Sequence, residues 1–89
     1  MDVKQAVAVA KDHIEDWFRD EEISNLGLEE VEWDDEGIWR ITIGFSRPWD
    51  RSVDSVLRGV NTRTYKVMLI SDESGGVLSM KDRQFAKAS

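Results

Sequence analysis

The stretch Gly37-Ile38-Trp39-Arg40-Ile41-Thr42-Ile43-Gly44-Phe45 decides the fold. Trp39, Ile41, Ile43 and Phe45 alternate with Arg40 and Thr42, the period of two expected of a half-buried strand. Just upstream, Leu28 to Asp34 repeats the pattern, with Val31 and Trp33 on one side and Glu30, Glu32 and Asp34 on the other. Hydrophobic matching then sets the loop between them. A three-residue loop, Asp35-Glu36-Gly37, pairs Trp33 with Trp39 and Val31 with Ile41, whereas two or four residues would set apolar side chains against Glu or Arg. Gly37 is therefore expected in the left-handed region, closing a type I turn with a bulge.

Before this hairpin, Val3, Ala6, Val7, Ala10, Ile14, Trp17 and Phe18 recur at helical spacing, while Lys4, Lys11, Asp12, Glu15 and Arg19 lie opposite. The spacing predicts one amphipathic helix from Val3 to about Glu22, with Asp2 as N-cap and Asn25 and Gly27 as the stop. Ile14, Trp17 and Phe18, its bulkiest residues, are expected to pack against the Trp39 face.

Beyond Phe45, Pro48 cannot donate to a sheet ladder, so the strand is expected to end near Ser46. Ser52 to Arg58 reads as a short helical turn inside a connection much longer than a hairpin loop. Thr64 to Ser71 is a third strand, with Tyr65, Val67 and Leu69 on one face and Lys66, Met68 and Ile70 on the other. The turn Asp72-Glu73-Ser74-Gly75 leads into a fourth strand, in a register that sets Leu69 against Leu78 and Val67 against Met80. Residues 84–89 read as a frayed tail. The fold class is α+β: one N-terminal amphipathic helix on a four-stranded antiparallel sheet, in the order α-β-β-β-β.

Eighty-nine residues make one domain, 1–89, and the composition of 40% hydrophobic and 34% charged residues is that of a globular chain. There is no cysteine, hence no disulfide and no thiolate metal site. Met1-Asp2-Val3-Lys4 opens a charged amphipathic segment rather than a signal sequence, and no apolar run reaches the roughly 18 residues of a membrane span. A cytoplasmic protein with no membrane association is expected. Residues 1–36 hold 13 acids and 3 bases, residues 37–66 hold 2 acids and 6 bases, and residues 67–89 hold 3 of each. The acidic third argues against nucleic acid as a partner. The basic middle either neutralises it within the fold or marks a binding surface.

With these elements in place, three runs carry a family likeness: Ala6-Val7-Ala8-Val9-Ala10-Lys11, Gly37-Ile38-Trp39-Arg40-Ile41-Thr42, and Tyr65 through Leu78 with its acidic Gly turn. The chain resembles PepSY-type and wider cystatin-like domains, in which a helix lies across an antiparallel sheet. That resemblance implies a non-catalytic module.

No reactive constellation competes with this reading. His13 is the single histidine, and no nucleophile motif accompanies it. Asp34-Asp35-Glu36 lacks the alternating oxygen ligands of a calcium loop and reads as a solvated turn. No cofactor and no metal are expected, and an enzyme is not. Two surfaces are candidates for a protein partner or self-association. One is the loop with Arg47, Trp49 and Arg51, residue types enriched at binding hot spots, although Trp49 reads more readily as folding back to lid the core. The other is a second sheet face carrying Ile38, Met68, Ile70 and Val77, which is either exposed, covered by the Ser52 to Arg58 turn, or covered by a second copy of the chain as a homodimer. An alternative is an acidic inhibitor or immunity-type protein that meets a basic partner through residues 1–36.

Overall fold

A computed structural model describes residues 1–48 and 63–83. Helix α1 spans Val3–Trp17. It is followed by a single 3₁₀ turn, Arg19–Glu21. Strands β1 (Ser24–Asp34), β2 (Ile38–Ser46), β3 (Thr64–Ser71) and β4 (Val77–Asp82) form one antiparallel sheet in the order β1-β2-β3-β4. The expected α+β arrangement is the observed one.

Helix α1 starts where the sequence places it. The Asp2 carboxylate accepts from the Gln5 backbone N–H at 2.8 Å, and the Gln5 side chain accepts from the Asp2 N–H at 2.8 Å, a reciprocal capping box. The helix ends earlier than the apolar spacing suggests, at Trp17 rather than near Glu22. The turn that follows lets the Phe18 ring pack on Phe45, 5.1 Å between centroids. Glu22 (φ 49°) and Asn25 (φ 55°) then reverse the chain in left-handed conformations, in place of the expected stop at Asn25 and Gly27. Trp17, expected as an anchor, is 66% exposed, with its ring 5.6 Å from His13. Ile14 and Phe18, four residues apart, take the inward positions instead.

The first hairpin has the expected register, Trp33 to Trp39 and Val31 to Ile41, and Gly37 is left-handed at φ 85°. The two indole rings lie 4.6 Å apart. β2 ends at Ser46, two residues before Pro48. Ala6, Ala10 and Ile14 from α1 close with Ile41, Ile43 and Phe45 of β2 and Met68 and Ile70 of β3 into a fully buried cluster. Each of its larger members contributes about 1.5–3 kcal/mol by leaving water.

Two expectations about the second half of the sheet are corrected. β3 pairs with β2 through Trp39 to Ile70 and Ile41 to Met68, so Met68 and Ile70 lie beneath the helix with the Trp39 row, and both are fully buried. Their sequence neighbours Val67 and Leu69 take the opposite face. β4 follows the expected turn, with Gly75 at φ 71° and the Ser71 N–H donating to the Gly76 carbonyl at 2.9 Å. A bulge at Leu78 then shifts the ladder by one residue, pairing Leu69 with Ser79 and Met68 with Met80. The shift carries Met80 to the core face beside Val77 and leaves Leu78 57% exposed. The helical turn read at residues 52–58 and the tail at 84–89 lie outside the described residues.

Candidate functional site

Among the described residues α1 packs on one face of the sheet, and the strands present the other. Cross-strand register arranges it in rows. Glu32, Arg40, Leu69 and Ser79 form one row, and Glu30, Thr42, Val67 and Lys81 form the next. Acids thus stand on β1, Arg40 with apolar and hydroxyl groups in the middle, and a second base, Lys81, on β4. Sheet coiling makes this face a trough of about 830 Å³. Arg83, just past β4, brings its guanidinium within 3.9 Å of the Glu30 carboxylate on β1 and lies over the Tyr65 ring at 5.7 Å. Thr42, in the floor, is 3% exposed.

A second feature of the strands lies further along β1 and β2. Gly27 and Gly44 are cross-strand partners, and the Arg63 guanidinium occupies the space their missing side chains leave. It donates to the carbonyls of Asn25 and Gly44, the latter at 2.9 Å, and pairs with Glu29 at 3.3 Å. Three backbone and side-chain acceptors from β1 and β2 are thereby satisfied by one residue at the start of β3.

Of the residues singled out from sequence, the structure disperses most. Arg47 turns into the fold: its guanidinium lies 4.7 Å from the Phe18 ring and 5.6 Å from the Phe45 ring, and pairs with Glu21 at 3.8 Å. It ties the chain after α1 to the end of β2. Trp49 and Arg51 lie outside the described residues. Ile38 is on the open face, half-buried at the hairpin end between Asp34 and Ser71. Met68, Ile70 and Val77 are on the helix side, so the continuous apolar second face expected to invite a homodimer is not formed. Val67 and Leu69 take that place, bracketed by charge. Alternation alone had exposed Glu30, Glu32, Arg40 and Thr42 as one side of their strands. What it could not supply was the β2-β3 register that sets Val67 and Leu69 among them.

Two carboxylates are electrostatically tuned, Asp72 away from the trough and Asp82 on its lining. Asp72 accepts from the Trp39 indole N–H and from the Met1 amine, each at 3.1 Å. The indole bond and then the amine hold its carboxyl below the usual range. Lys66 pairs with Asp82 and likewise holds that carboxyl low, while its ammonium sits over the Phe18 ring at 5.7 Å. Among the described residues no group of three or more His, Cys, Asp or Glu could hold a metal ion, and no helix is long and apolar enough to cross a membrane. Compared with protein-family models, curated proteins and solved structures, the chain matches none.

Proposed function

We propose that this chain is a non-catalytic protein-binding or regulatory module of PepSY-like type, and that it meets its partner on the open face of the sheet. The trough carries this reading. Its centre, Val67 and Leu69, offers apolar contact, and the acids of β1 and the bases at β4 flank it with groups of opposite sign that fix the orientation of a bound chain. The helix face, by contrast, is spent on the core. A photo-cross-linking residue at Leu69 should capture a partner that the same residue at Lys4, on the exposed side of α1, does not. Equal capture at both positions would sink the proposal.

The alternative, an acidic inhibitor or immunity-type protein, draws on one feature. Glu30, Glu32 and Asp34 stand in line on the open side of β1. Binding that weakens steeply with salt favours it, and binding unchanged from low to high salt removes it.

A further inference from the structure

We infer that the outer edge of β1 is a docking edge for an extended basic segment of another protein, which adds to the sheet as a fifth strand with lysines or arginines alternating with apolar residues. The inference rests on the reading of the chain as a protein-binding module and adds a second docking site, at the edge of the sheet, to the one proposed on its open face.

Among the described residues no strand pairs with β1 on the side away from β2. The pairing is regular from Glu30 to Asp34. Asp34 turns its backbone inward, its carbonyl accepting from the Gly37 N–H at 3.1 Å. By alternation Glu32 and Glu30 also face β2, so the N–H and C=O groups of Val31 and Trp33 point outward. The opposite edge, β4, is shorter and bulged at Leu78, a common way of blunting an edge.

Side chains along β1 state what the added strand must carry. On the open face stand Glu30, Glu32 and Asp34, all exposed. On the helix side stand Leu28, Val31 and Trp33, with Leu28 45% and Trp33 49% exposed although their faces are apolar. An incoming strand therefore meets acids on one face and an uncovered apolar row on the other. A second copy of this chain does not fit. Twofold pairing of β1 with itself keeps each face on its own side, so in every register of the 30–34 run acid opposes acid. A basic and apolar alternating strand satisfies both faces and the outward-pointing backbone groups together.

The test uses the full chain labelled with ¹⁵N and three capped heptapeptides: alternating Lys and Val, alternating Glu and Val, and the Lys-Val composition rearranged into two blocks. The alternating Lys-Val peptide should shift the amides of residues 28–34 and slow exchange at Val31 and Trp33. It should bind about tenfold or more tightly than either control, and weaken with salt. Val31→Pro, which removes one outward N–H at an edge position where proline is tolerated, should abolish binding with the remaining spectrum preserved. Glu32→Lys, a surface change, should shift preference toward the Glu-Val peptide. Absence of binding, equal binding of the three peptides, or shifts centred on Val67 and Leu69 would each overturn docking at this edge. The module reading itself is decided separately, by cross-linking at Leu69.

Discussion

Gly27 and Gly44 face each other across β1 and β2, and the guanidinium of Arg63 lies over both. A Cβ at Gly44 would come within 2.8 Å of Arg63 Nε and of Glu29 Oε1. Gly44→Ala should therefore push the ion pair off the two carbonyls it serves, with a loss of about 1–2 kcal/mol. Arg63→Ala should cost a similar amount. Since both changes break the same contacts, the double variant should lose clearly less than the sum, which urea denaturation of the four proteins measures.

Neighbouring aromatics at the end of α1 should respond very differently. Phe18→Ala removes the ring packed on Phe45 and beneath Arg47 and Lys66, and should destabilise the fold by about 2–3 kcal/mol. Trp17→Ala should stay within about 0.5 kcal/mol, because that indole is largely in water. Thermal melts of the two variants decide this.

Acid should loosen the contact between Trp39 and Asp72. The Asp72 carboxyl titrates lower in the folded chain than in the unfolded one. Its contribution is therefore complete above the unfolded value, about pH 4, and is lost as pH falls through the lower folded value. The Trp39 indole N–H resonance should move over that acid range. In Asp72→Asn this component should be absent.

The bulge in β4 yields a further test. Deleting Leu78 would join Val77 to Ser79 and make Ile70–Val77, Leu69–Ser79 and Met68–Met80 one uninterrupted ladder, with Met80 still on the core face. Because no core contact is lost, stability in urea should stay within about 1 kcal/mol of the parent. Leu78→Ser, which keeps the bulge and removes only an exposed side chain, should be near neutral.

How far the sequence reached depended on whether a short loop tied two strands together. Trp33 and Trp39 flank three residues ending in Gly, so loop length and apolar matching specify one register, and that register is observed. β3 follows a long connection and is apolar on both faces, so nothing local told Met68 and Ile70 from Val67 and Leu69. Only its pairing with β2 did, and the trough floor followed from that. Leu78 and Met80 share a parity, so strict alternation put them on one face. The bulge separates them because Val77 and Met80 together fill the core edge. Trp17 and Phe18 both fitted a helical stripe, and no Gly or Pro marked the early end of α1. The chain leaves the helix there to set Phe18 on Phe45.

Two arginines bracket the connection between β2 and β3 from opposite sides of the sheet. Arg47 is clamped among Phe18, Phe45 and Glu21 on the helix side, and Arg63 is pinned to the Asn25 and Gly44 carbonyls on the open side. Phe45 and Thr64 are ladder partners, so departure and return lie one strand spacing apart, about 5 Å. The end of β2 and the start of β3 are thus each fastened by an arginine on its own side of the sheet, so this strand pair is clasped by side chains where the first hairpin is set by a tight turn.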